Sequence, residues 1–171
     1  MRVYSYNLIL VRKGPSGQGS RAARAALAKL AGSCDHRRME ARDSPGDGRF
    51  PRISIDLGII ENNARLVREA CARAGIGTVA VVKGVGARPP IAAAIARGGC
   101  RSFASSRLEQ LAALREAAAD PASGVPADAT MGLLRAPGRS EAALAVALAD
   151  WSLQSEAAAL EATADAAEAR G

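Results

Sequence analysis

Cysteine is scarce in this 171-residue chain, and the three that occur, Cys34, Cys71 and Cys100, show no CxxC spacing. That excludes a disulfide framework and a four-ligand zinc site. Cys34 and His36 form a lone CxH pair with no second pair to complete it, so no metal site is expected. Aromatic residues make up 3% of the chain, against 49% hydrophobic residues overall. The core must therefore be built from Ala, Val, Leu and Ile, a composition that suits helices packed closely on a sheet. No apolar run reaches the roughly 18 residues that a membrane-spanning helix needs. A soluble protein of a reducing cytoplasm, with no membrane partner, is the expectation. Lysine is the last scarcity: Lys13, Lys29 and Lys83 are the only three, and every other basic residue is arginine, His36 aside.

The formal net charge is +6, which raises the question of a nucleic-acid partner. Its distribution argues against one. Ten basic and four acidic residues precede Phe50, leaving thirteen of each sign afterwards, so the excess sits wholly in the first part of the chain. That part also differs in texture. It runs from a short apolar patch, YSYNLILV, through the Gly/Ser-rich GPSGQGS to an Arg/Ala stretch over residues 21–32 with the pattern of an amphipathic helix, and ends in a polar linker, RDSPGDGRF. Residues 1–49 read as a disordered basic extension and 50–171 as the folded part. A charged tail is not a basic groove, and no nucleic-acid partner is expected.

From Pro51 onward, short apolar runs alternate with longer helical patterns. The run ISID, Ile53–Asp56, leads into LGIIENNARLVREACARAG, where Leu57, Ile60, Ala64, Val67 and Cys71 recur at helical spacing until Gly75. TVAVVK follows, a buried strand by its β-branched content. PPIAAAIARGG then reads as a helix with proline at its start and glycine past its end. The alternation repeats as RSFAS and a helix from about Ser106 to Ala119, TMGLLR and a helix from about Ser140 to Ala149, then WSLQ and a last helix from about Ser155. Strand then helix, four times over, predicts right-handed βαβ units and a parallel sheet.

Two architectures use that alternation, the doubly wound sheet and the (β/α)8 barrel. A dinucleotide fold wants GxGxxG after its first strand, and here the turn reads KGVGARPP without a third glycine. The phosphate-loop pattern GxxxxGK[ST] is also missing. In a barrel, residues at the C-terminal ends of the strands face the active site, and Lys83, Ser105, Arg135 and Gln154 hold those places. Lys83 stands out among them. Guanidinium stays protonated, whereas a lysine desolvated by Val79, Val81 and Val82 sheds its proton near neutral pH and can act as an amine nucleophile.

The segments PRISIDLGIIENNARLV, AVVKGVGARPPIAAAIARGGCRSFASSRLEQLAALR, LLRAP and ADWSLQSE occur in the order and at the spacing of the alanine/ornithine racemase family of pyridoxal-phosphate enzymes, which this part of the chain resembles. The resemblance is nearest to the ornithine racemase-like branch and covers roughly Pro51 to Gly171. It implies the N-terminal half of a pyridoxal-phosphate barrel, a partial (β/α)8 fold comprising its first four βα units. It also implies that Lys83 is the catalytic and cofactor-carrying lysine of an amino-acid racemase. Ser105, with Ser106 and Arg107, matches the motif at the end of the second strand, and Arg135 matches the arginine of LLRxP. By resemblance, Ser105 and Arg135 orient the cofactor or a substrate carboxylate. Asp56, Asn63 and Glu156 fit motif positions that capping explains equally well. Two places depart from the family pattern. Ala87 stands where alanine racemases carry a tyrosine four residues after the lysine, and Gln154 replaces an asparagine. A whole barrel takes about 200 residues or more, so the resemblance implies an incomplete enzyme that self-associates or joins a missing C-terminal half. A pyridoxal-phosphate-binding homeostasis protein of the same barrel type and a non-catalytic remnant stand as alternatives.

Overall fold

The computed structural model describes residues 8–12 and 53–170. The Arg/Ala-rich helix expected over residues 21–32 and the Cys34–His36 pair lie outside the described residues. Among the described residues, ten strands and α-helices follow one another: β1 (Leu8–Arg12), α1 (Leu57–Arg73), β2 (Ile76–Val81), α2 (Pro89–Arg97), β3 (Ser102–Ser105), α3 (Leu108–Ala119), β4 (Thr130–Leu133), α4 (Ala142–Leu148), β5 (Trp151–Ser152) and α5 (Ala157–Glu168). They build one sheet with the strands in sequence order. The pairs β2–β3, β3–β4 and β4–β5 are parallel. A helix follows each of these four strands, so the folded part is an α/β structure with the order and sense of half a (β/α)8 barrel. β1 alone is antiparallel, with Leu8 opposite Ala80 and Arg12 opposite Ile76. The apolar run Ile53–Asp56, by contrast, joins no strand, and Ile53 and Ile55 are exposed.

Local sequence accounts for most of the element boundaries. Asp56 is the N-cap of α1, its side chain accepting a hydrogen bond from the Ile59 N–H at 3.0 Å, which satisfies one of the free donors of the first turn. Pro89 and Pro90 open α2, where a missing N–H costs nothing, and Gly98 closes it. Arg107 occupies the N-cap position of α3 without a side-chain cap bond.

The core lies between the sheet and the helices. Phe103, Leu111, Leu114, Met131 and Leu133 are fully buried, and Ala92, Ala93 and Ala94 of α2 are buried too. Alanine there brings α2 close to its neighbours, and close packing rather than bulk fills the layer. Arg115 ties the far side of this layer together. Its guanidinium donates to the Leu148 carbonyl at 2.9 Å and pairs with Asp150 at 2.8 Å. Asp150 in turn accepts from the Met131 N–H at 2.6 Å, fixing the start of β5 against β4.

The narrowest point of the sheet is at Gly132, which lies opposite Trp151. A Cβ on residue 132 would fall 2.0 Å from Trp151 Cζ2, so the indole occupies the space that any side chain would need. We expect Gly132→Ala to cost about 1–3 kcal/mol through overpacking and to lower the urea midpoint. Gly138→Ala, whose Cβ meets nothing nearer than 3.4 Å, serves as the near-neutral control.

Candidate functional site

Parallel pairing brings the C-terminal ends of β2 to β5 level with one another. The Val82 N–H donates to the Ala104 carbonyl, the Leu134 N–H to the Ser105 carbonyl and the Leu153 N–H to the Leu133 carbonyl, each at 2.9–3.0 Å. Lys83, Ser105, Arg135 and Gln154 therefore share one end of the sheet, the end where βα folds place their chemistry.

Lys83 leaves β2 in a 3-10 turn over Lys83–Val85. The loop closes on the strand end, with the Val85 and Ala87 N–H groups both donating to the Val82 carbonyl at 3.2 and 3.0 Å. Gly86 and Ala87 both take the left-handed conformation, at φ 66° and 52°. That backbone is strained for a residue with a Cβ, and the Ala87 methyl is buried. A tyrosine at this position would meet both the strain and the wall. Val79 and Val82 are buried in the core, but Lys83 itself is exposed, and its amine has no hydrogen-bond or ion-pair partner among the described residues. The desolvation expected from the flanking valines is thus not met. Val82 packs into the core cluster, Val79 is buried three residues earlier and Val81 is only half-buried, while the turn carries Lys83 out past the strand end.

The neighbouring strand ends are more fully engaged. Ser105 is the one buried polar side chain among the described residues. Its hydroxyl donates to Gln110 Oε1 at 2.5 Å and accepts from the Arg107 N–H at 3.2 Å, which sets the turn from β3 into α3. Arg135 makes a bidentate pair with Glu141, at 2.7 and 2.8 Å, while its Nε donates to the Ser106 carbonyl at 2.8 Å. A further bond to the Ala136 carbonyl, at 3.2 Å, leaves one of its five donors unassigned. Bonding to Glu141 raises the Arg135 pKa further. In return, Arg135 and the Gly138 N–H hold the Glu141 carboxyl well below the usual carboxylate range, at about 2. Gln154 donates to Ser152 Oγ at 2.8 Å and reaches Thr163 Oγ1 of α5 at 3.4 Å, with its Oε1 buried and unpartnered among the described residues. Glu156 takes the N-cap position of α5 without a side-chain cap bond.

Gln110 and Glu141 are the residues that the sequence reading missed. Glu141 had a signal, since it stands three residues after Gly138 at the start of a helical turn, the spacing at which a glutamate reaches back to a cap N–H. Gln110 had none.

These residues test the fit of pyridoxal phosphate. An unpartnered primary amine at a strand end suits covalent attachment of an aldehyde cofactor. The start of α2 suits a phosphate poorly, because Pro89 and Pro90 have no N–H and the Ile91 and Ala92 N–H groups are bound to the Arg88 carbonyl. A separate cleft of about 410 Å³ opens at the opposite end of the sheet between Arg68, Thr78, Cys100, Ser102 and Thr130. It is open and shallow, and lies away from the lysine.

A four-strand parallel βα sheet with a lone lysine closing its first parallel strand defines a barrel-type α/β protein. The family model described as alanine racemase, N-terminal domain, matches residues 55–171, and the chain belongs to that family, which binds pyridoxal phosphate in general. Comparison with curated proteins and with solved structures gave no match. Among the described residues, no helix is long and apolar enough to cross a membrane.

The Arg135–Glu141 pair gives a pH dependence of definite sign. Because the Glu141 pKa is depressed on folding, its contribution to stability is complete above the ordinary value of 4.5 and is lost as pH falls towards about 2. Glu141→Gln should therefore lower the melting temperature at pH 7 and have little further effect near pH 2. The parent chain should lose more stability than the variant on acidification between these two values.

Proposed function

We propose that this chain is the lysine-bearing half of a pyridoxal-phosphate-dependent amino-acid racemase of the ornithine racemase-like branch, with Lys83 as the residue that holds the cofactor. The observation that carries this reading is the placement of Lys83: an exposed, unpartnered amine in a tight turn at the C-terminal end of the first parallel strand. Membership of the alanine racemase N-terminal domain family supports it. When bound, the cofactor supplies an electron sink that stabilises a carbanion at the amino acid's α-carbon.

The chain's own contribution is narrower. Lys83 holds the cofactor and, through its Nζ, moves a proton at one face of the α-carbon. Ser105 acts through the turn that it fixes, since its hydroxyl is already engaged by Gln110 and the Arg107 N–H. Arg135 acts as a clamp on the loop after β4, because Glu141 and two backbone carbonyls occupy four of its five donors. Inverting the stereocentre needs a second proton donor on the opposite face. In this reading it comes from outside these strand ends, which hold no other free amine, imidazole or phenol among the described residues. Ornithine-type specificity is supported by Ala87, whose buried methyl and left-handed backbone leave no place for the tyrosine of alanine racemases.

A second reading, a cofactor-holding protein of the same barrel type without racemase activity, is favoured by that commitment of Arg135, four of whose five donors are already engaged. Racemisation separates the two readings and cofactor retention supports both.

Incubation with pyridoxal phosphate followed by borohydride reduction should fix the cofactor on the peptide containing Lys83, and Lys83→Arg should abolish the adduct with little change in the circular dichroism spectrum. Arginine keeps the charge and much of the length but forms no such bond under these conditions. Labelling confined to Lys13 or Lys29 would overturn the assignment.

A further inference from the structure

The edge of β2 carries the strongest unexplained feature of the fold. In a closed barrel of parallel strands, the first strand pairs with the second on one side and with the last on the other. Here β2 has β3 on one side and the antiparallel β1 on the other, so β1 occupies the place of a closing strand. It also serves most of β2. The register with β3 covers Ala80 and Val81, whereas the register with β1 runs from Ile76 to Ala80, leaving Ile76–Val79 with β1 as their ladder partner.

At the far end of the parallel run, β5 pairs with β4 on one edge and has no strand on the other among the described residues. Leu153 directly after β5, Leu144 on α4 and Leu160 on α5 are each more than half exposed. An unpaired strand edge, with an exposed leucine directly after it, is a pairing surface. The two free ends of a four-strand parallel run are complementary to those of a second copy. A two-fold axis that sets β5 of each copy beside β2 of the other makes both contacts at once, and two sets of four strands make the eight of a closed barrel.

We propose that β1 is a displaceable cap on β2, which holds the chain open and blocks a second copy from pairing β5 with the β2 edge. Pairing with β1 and pairing with the second copy are mutually exclusive, because each uses the same backbone groups on the same edge. The proposal concerns strand pairing alone and does not depend on the cofactor reading. Its test measures no cofactor.

The register is tested first, with Cys34→Ser as background. Val11 and Gly77 stand directly opposite each other and so share a face. Val11→Cys combined with Gly77→Cys should form a disulfide, whereas Leu10→Cys combined with Gly77→Cys, one residue out of register and on opposite faces, should not. The oxidised in-register double variant should sediment as a monomer. A chain starting at residue 14 should sediment as a dimer, with amide exchange slowed at β5 relative to the full chain and β2 still protected. If the shortened chain does not fold, Ile9→Pro and Leu10→Pro in the full chain replace it. Successive N–H groups point to opposite sides of a strand, so one of these two prolines faces β2 and should promote the dimer, and the other should do so less. Failure of the in-register double variant to form its disulfide, a shortened or proline-bearing chain that stays at the monomer mass, or association that leaves β5 exchange unchanged would overturn the proposal.

Discussion

The parallel pairing of β2, β3, β4 and β5 is the constraint on which everything at the candidate site depends. Parallel neighbours run in one direction, so each chain segment must cross back over the sheet before the next strand begins, and the helices are the form that the crossing takes. The same constraint brings every strand's C-terminal end to one side. Lys83, Ser105, Arg135 and Gln154 are 22, 30 and 19 residues apart in sequence, and the hydrogen bonds Val82 to Ala104, Leu134 to Ser105 and Leu153 to Leu133 set them on a common rim. Small residues make the crossings possible at close range. The buried alanines of α2 let it lie close against its neighbours, and Gly132 yields its side-chain space to Trp151.

On that rim several polar groups are already engaged, whereas the Lys83 amine has no partner among the described residues. Ser105 is committed to Gln110 and the Arg107 N–H, Arg135 to Glu141 and the backbone of its own loop, and Gln154 to Ser152 and α5. These commitments stiffen the loops after β3, β4 and β5. An unpartnered amine at a strand end gains from this, since its surroundings hold still while it keeps the freedom to make a new bond. The exposure of Lys83 fits the same division: a lysine carrying a cofactor is desolvated by what covers it from above, and in the described residues nothing does.

Much of the fold was legible in the sequence because its signals are local. β-branched runs marked β2, proline and glycine punctuated α2, and Asp56 announced α1 as an N-cap does. The place of Lys83 followed from the same reading, since a strand that ends on lysine and then glycine has few other outcomes. Legibility failed where an interaction joins segments that carry no local trace of one another. Nothing in LILVR specifies an antiparallel register against Ile76–Ala80, because an apolar run of that length can face any open edge. Ile53–Asp56 shows the converse, an apolar run of similar texture that pairs with no strand among the described residues. The desolvation assigned to Lys83 failed for a geometric reason: the 3-10 turn breaks the strand's alternation at the residue in question and leaves it exposed, although Val79 and Val82 before it are buried.

The two ends of the parallel run then differ in kind. At β2, an antiparallel strand from far upstream satisfies the backbone edge, and at β5 a two-residue strand leaves it bare among the described residues. The first of four parallel strands must have its outer edge covered or leave it open to any other strand, because unpaired N–H and C=O groups are a strong recruiting surface. Antiparallel cover is well suited to that purpose. It satisfies the same groups as a parallel neighbour would while pointing the chain the wrong way to continue a barrel, so the cover protects the edge without completing the fold.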